Sequence, residues 1–198
     1  MQNIENLAIE QMIELHTLAS LAIETTVNKG IALTWKQLRL LVPTAVHTKL
    51  EQSAGTFVTL KKLGNLRGCI GYIFPVKPLY QAVMENGVNA AMRDTRFAPV
   101  QPDELTQLKV EVSVLTVPKT IPSYTYFSPG LDGIIMDKGH YSAVFLPEVA
   151  FEQGWSREQT FTYLSRKAGL PDDAWQEGAT FQTFRSQKYA SPIKITKI

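Results

Sequence analysis

The run Thr56-Phe57-Val58-Thr59-Leu60-Lys61 is rich in β-branched and aromatic residues, and Gly64-Asn65 separates it from a second run, Leu66 to Ile73. Two such runs across a glycine-containing turn predict a β-hairpin, and therefore antiparallel pairing. Side chains alternate across a strand, so Arg67 and Cys69 are expected on one face, and Leu66, Gly68 and Ile70 on the other.

Helices are expected on both sides of this hairpin. From Glu5 to Lys29 the residues Ile9, Met12, Ile13, Ala19, Ile23 and Val27 recur at helical spacing, and Gly30 supplies a stop. His16 falls on that apolar stripe, where a partly buried histidine with a hydrogen-bond partner is expected. An irregular stretch runs through Pro43. After Pro75 and Pro78 a second helix is predicted from Leu79 to about Met92, with Gly87, Ala90 and Ala91 small enough for close packing on a sheet. It ends in the polar loop Arg93-Asp94-Thr95-Arg96-Phe97. Residues 108–115 then alternate, with Val110, Val112 and Val114 on one face and Lys109, Glu111 and Ser113 on the other, as in a half-buried strand.

The prolines 118, 122 and 129, with Tyr124, Tyr126 and Phe127 among them, predict an extended connection whose aromatic residues pack on a core. A second hairpin is expected from Gly133 to Leu146 around Asp137-Lys138-Gly139-His140. Ser156 with Gln159 has the form of a capping box for a helix to Ala168, and Thr180 to Arg185 reads as a last alternating strand. The tail from Ser186 has weak β character. The fold class is α+β, a mainly antiparallel sheet flanked by helices.

Charge and cysteine content narrow the function. Lys and Arg number 20 against 18 Asp and Glu, giving +2 with the signs interspersed, so nucleic acid is not indicated. Glu5, Glu10, Glu14 and Glu24 interrupt the first helix, which argues against a signal peptide's apolar region and a membrane span. The single cysteine fits a reducing compartment, and a cytoplasmic protein is expected.

The chemistry centres on Gly64-Asn65-Leu66-Arg67-Gly68-Cys69-Ile70-Gly71. A thiol two positions after an arginine could be held as its thiolate, the reactive form, and Gly68 and Gly71 could leave backbone N–H groups open to an anion. The same features fit a packed cysteine and strand glycines that mark a bulge. Asp94 and Arg96 could pair with each other or with Arg67 and Glu111, or could bind a carboxylate or phosphate through the guanidinium fork; equally, they could belong to a surface loop that caps a helix end. A set of Cys69, His140 and Asp94 would be a Cys-His arrangement, although His140 is also a plain hairpin-turn residue. His16, His47 and His140 lack ligand spacing, so no metal is expected. Phosphate-loop, dinucleotide and serine-hydrolase motifs are absent, and no cofactor is expected.

The ordered set Phe57-Val58-Thr59-Leu60, Leu66-Arg67-Gly68-Cys69-Ile70-Gly71, Asp94-Thr95-Arg96-Phe97 and Glu111-Val112-Ser113-Val114-Leu115 resembles the AMMECR-one domain family. The resemblance continues through Gly133-Ile134-Ile135, Leu146-Pro147-Glu148-Val149-Ala150, Gly154-Trp155 and Lys167-Ala168-Gly169-Leu170, and covers about residues 55–184 of a single domain over 1–198. It implies a larger lobe made from both chain ends, a smaller lobe, and the Arg-Gly-Cys-Ile-Gly segment near a cleft between them. Prokaryotic members look like component A of the AmmeMemoRadiSam set, encoded beside or fused to Memo-like and radical S-adenosylmethionine proteins, which are the implied partners.

Two functions fit. One is a cysteine-dependent enzyme or enzyme component, with Cys69, Arg67 and Asp94 catalytic and Gly68, Gly71, Arg96, Glu111 and Ser113 holding a small polar or anionic substrate. The other is a non-catalytic module whose cleft binds a small molecule, peptide or protein while Cys69 packs.

Overall fold

The apolar spacing of the N-terminal helix is realised as α1, Ile9–Lys29, which closes on Gly30 in the left-handed conformation that its φ of 65° requires. Ahead of it, the Gln11 side chain accepts the Ala8 N–H and so pairs a helix-end donor. The structure, a computed structural model, describes residues 6–37 and 48–195. Glu5, His47 and most of the irregular stretch around Pro43 lie outside the described residues.

The chain divides into two units, Met1–Leu115 with Gln187–Ile198, and Thr116–Ser186. The motif-bearing region spans both. In the first unit, β1 (Gly55–Lys62) and β2 (Asn65–Tyr72) form the hairpin, followed by α2 (Leu79–Met92), β3 (Leu108–Leu115) and, from the far end of the chain, β8 (Ser186–Pro192). The sheet order is β2-β1-β3-β8, so β2 is an edge strand, and both β2 and β3 run antiparallel to β1.

The turn differs by one residue from the sequence reading. It is Leu63-Gly64, both with positive φ (51° and 85°), and Asn65 already belongs to β2. Two consecutive positive-φ residues follow the right-handed twist of the strands, so the tight turn accepts a leucine there.

Val58, Leu60, Val110, Val112 and Val114 point inward and pack against α1 and α2 through Met12, Leu15, Leu18, Ile23, Leu79 and Val83. The small residues of α2 permit the approach. A Cβ on Gly68 of β2 would lie 2.1 Å from the Ala90 carbonyl oxygen, and one on Gly87 would lie 3.2 Å from Ile23. Gly87 therefore serves contact with α1 and not with the sheet.

The second unit holds β4 (Lys119–Ile121), β5 (Gly133–Lys138), β6 (Tyr141–Phe145), α3 (Pro147–Glu152), α4 (Arg157–Lys167) and β7 (Thr180–Phe184), with sheet order β4-β7-β5-β6. Ser156 caps α4 through the Gln159 N–H while the Gln159 side chain returns a bond to the Ser156 N–H. The proline-rich connection contributes β4, and of its three aromatic residues Tyr124 and Phe127 pack on a core as expected while Tyr126 is 65% exposed. Phe127 is 1% exposed and meets Phe161 edge-on, and Tyr124 lies against Phe161 and Trp175. These rings, with Ile134, Met136, Leu164 and Phe181, form a core of their own.

No helix among the described residues is long and apolar enough to cross a membrane.

Candidate functional site

Cys69 lies on the edge strand opposite Thr59. At an edge, alternate N–H and C=O groups have no strand to pair with. At Cys69 the loop after α2 takes that place. The Asp94 carboxylate accepts the Cys69 N–H at 2.8 Å, and the Arg96 guanidinium donates to the Cys69 carbonyl at 3.3 Å. Asp94 and Arg96 are themselves joined by two side-chain bonds of 2.7 and 2.9 Å, and the Arg96 N–H adds a third contact to the carboxylate. One acid and one base two residues apart thus stand in for a neighbouring strand.

The Asp94 side chain is 4% exposed. The bond from Arg96 holds its carboxyl well below the usual carboxylate range, against the opposing effect of burial, and the Cys69 and Arg96 N–H groups add to this. Arg96 is pushed up in turn, first by its bond to Asp94.

The Cys69 side chain faces away from the valine core. Its sulfur accepts the Thr59 hydroxyl at 3.3 Å, and the thiol is not in a disulfide. Thr59 pairs in register with Glu111 on β3, so thiol, hydroxyl and carboxylate form one row across three strands. The Glu111 carboxylate, 18% exposed, lies 3.8 Å from both Lys61 and Lys188, the second contributed by β8. The row therefore ends in a carboxylate between two ammonium groups.

Three of the expected roles meet other contacts in the structure. The Arg67 side chain is engaged by Glu104 and the Ala98 carbonyl. The register shift between Leu60 and Lys61 leaves Arg67 as the extra residue of β2, which breaks the strict alternation. Its guanidinium makes a two-pronged pair with Glu104 at 2.9 and 3.0 Å and a bond to the Ala98 carbonyl at 2.8 Å. Lys62 also donates to Glu104, and these bonds, Arg67 first, bring the Glu104 carboxyl down to about 2.

Second, the glycines answer to packing. Gly68 faces the backbone of α2, and a Cβ on Gly71 would meet the Phe57 ring and the Thr56 carbonyl at 2.3 Å. Third, Ser113 shares the strand face of Glu111 but is 2% exposed, out of reach of a ligand on the open part of that face.

Of the described histidines, His140 belongs to the second unit and His16 to α1 of the first. His140 is exposed beside Gly139 at the β5–β6 turn of the second unit. His16 is fully buried, with Nε2 at 3.2 Å from the Ser191 carbonyl and Tyr189 edge-on to its ring. Burial pushes its pKa down. Among the described residues, no three His, Cys, Asp or Glu side chains are grouped so as to hold a metal ion.

Sequence reading missed Thr59, Lys61, Lys188 and Glu104. The first two were visible as residues alternating with Val58 and Leu60, but only the register puts Thr59 against the sulfur. Lys188 and Glu104 arrive through β8 and the turn before β3, which no local pattern ties to Cys69.

The AMMECR1 family model matches residues 17–189. A protein of Methanothermobacter thermautotrophicus is 44% identical over 153 residues, covering 73% of this chain and 78% of its own length. PH0010 of Pyrococcus horikoshii is 39% identical over 168 residues, covering 77% and 82%. The crystal structure of uncharacterized protein PH0010 superposes with a TM-score of 0.84 at 33% identity, over 94% of each chain. The ordered motifs, the matched region and the shared fold agree: this chain belongs to the AMMECR1 family.

Proposed function

We propose that the protein is a cysteine-dependent enzyme or enzyme component in which Cys69 acts on a small polar or anionic substrate lying along the Cys69–Thr59–Glu111 row. The observation that carries this is the Thr59 hydroxyl donating to the Cys69 sulfur, since a donor to sulfur favours the thiolate. Arg96, paired with Asp94, also donates to the Cys69 carbonyl. Lys61 and Lys188 supply cations for an anionic group, and Glu111 orients them. In this reading Asp94 positions the thiol through the Cys69 N–H and does not touch substrate.

The pathway part of the proposal, with Memo-like and radical S-adenosylmethionine proteins as cytoplasmic partners, is supported by the resemblance of the motifs to component A of that set.

Paired alkylation rates test the substrate class. Iodoacetate and iodoacetamide deliver similar carbon electrophiles, one anionic and one neutral. The proposal expects Cys69 to favour iodoacetate several-fold more than a small unstructured thiol does, and Lys61→Met with Lys188→Met to remove that preference. A ratio equal to that of the simple thiol, unchanged by the two substitutions, contradicts it.

A second reading, a binding module with a structural cysteine, is favoured by the commitment of Arg67 to Glu104 and of Asp94 to the strand edge. It predicts slow alkylation by both reagents.

A further inference from the structure

A trough of about 410 Å³ is lined by α2, by Ala22 of α1 and by Ala32, Leu33 and Trp35 beyond α1, and none of its lining residues belongs to the Cys69 row. That volume is in the range of small-molecule sites, roughly 300–1,000 Å³. Ala22, Leu33, Trp35, Met84 and Val88 give it an apolar wall. Trp35 is held in place by stacking on Tyr80, with ring centroids 4.0 Å apart.

The polar lining comes from one stripe of α2. Gln81, Glu85, Asn89 and Arg93 recur at every fourth position, so the trough follows roughly 18 Å of helix from first to last.

The charges along that stripe are not equally available. Glu85 is neutralised by Lys77 and also accepts the Tyr72 hydroxyl at 3.4 Å. Arg93 has no carboxylate partner among the described residues; its one side-chain contact is Asn89 Oδ1 at 3.5 Å, the outer limit of a hydrogen bond. An apolar trough with one uncompensated cation among its described lining residues matches a ligand with an apolar body and a single negative charge.

We propose that this trough binds a monoanionic amphiphile, an alkyl carboxylate in chemical class, with its tail along Trp35, Met84 and Val88 and its carboxylate at Arg93. This site is independent of the function proposed for Cys69.

Isothermal titration of the full chain with sodium decanoate, below the concentration at which decanoate aggregates, tests it. Decyltrimethylammonium serves as the probe of opposite charge. The proposal expects saturable one-to-one binding of decanoate and none of the cationic probe. Arg93→Met should weaken decanoate about tenfold, the loss of one charge-assisted hydrogen bond. Val88→Glu, which sets a carboxylate in the trough, should abolish binding. Circular dichroism establishes that each variant is folded, and the exposed Arg93 position keeps the test decisive should Val88→Glu disturb packing. No saturable heat with decanoate, equal binding of the cationic probe, or an affinity indifferent to Arg93→Met overturns the proposal. Co-sedimentation with anionic phospholipid vesicles without decanoate binding overturns it too.

Discussion

The two faces of the first sheet are written in the same three strands by alternate residues, yet they obey different rules. The inner face carries Val58, Leu60, Val110 and Val112, each wholly buried against α1 and α2. The outer face carries Cys69, Thr59 and Glu111, which bond to one another or to Lys61 and Lys188. Apolar burial tolerates many residues of similar volume, whereas a thiol, hydroxyl and carboxylate in register are needed only where their chemistry is used. On the function proposed here, the inner face serves stability and the outer face chemistry, and each assignment can be broken by substitution.

The largest effect belongs to the inner face. Leu60→Ala should lower unfolding stability by about 2–5 kcal/mol, read as a shift in urea midpoint, while Cys69 alkylation in the folded fraction keeps its pH profile. A cost below about 1 kcal/mol would mean that the inner face is not the stabilising one.

Gly68→Ala comes next. A new Cβ 2.1 Å from the Ala90 carbonyl must push α2 from the sheet, at about 1–3 kcal/mol or more. A neutral result would show that the glycine is kept for ligand access and would return it to the candidate site.

Acid tests the links between loop and strand. The folded-state carboxyls of Glu104, at about 2, and Asp94, lower still, lie below their unfolded values, so their contribution is complete above the ordinary carboxylate range. It is lost as pH falls from about 5 through 2. His16, also lowered on folding, binds its proton more readily when unfolded and weakens the protein from about pH 6.5 downward. Equilibrium unfolding across this range should therefore show stability rising with pH, and Glu104→Gln should flatten the lowest limb. A limb unaltered by Glu104→Gln would detach the Arg67–Glu104 pair from folding.

Much of this fold was legible because its signals are local. Gly30 stops α1, Ser156 and Gln159 begin α4, and the valine alternation in 108–115 marks β3. The short helix Pro147–Glu152 and the strand Lys119–Ile121 went unread, since six and three residues carry too little periodicity. The site was legible in its parts and not in its pairing. Cys69, Asp94, Arg96 and Glu111 stand out as residue types, but the bulge that turns Arg67 toward Glu104 has no sequence signature, and Lys188 meets Glu111 from 77 positions away. A register, unlike a period, is decided by the strands together.

The smallest effect on stability is expected at the outer face and bears on the central claim. Thr59→Val should change stability by no more than about 1 kcal/mol, the worth of one hydrogen bond, yet alter the thiol. The direct measurement is the iodoacetamide alkylation rate of the native protein against pH, for the wild-type chain and Thr59→Val. Labelling of the wild type should plateau well below the ordinary thiol value of about 8.5, and Thr59→Val should move that profile upward. Labelling that is slow until the chain unfolds, and the same in both proteins, would contradict an activated Cys69 and leave the outer face as a surface for binding alone.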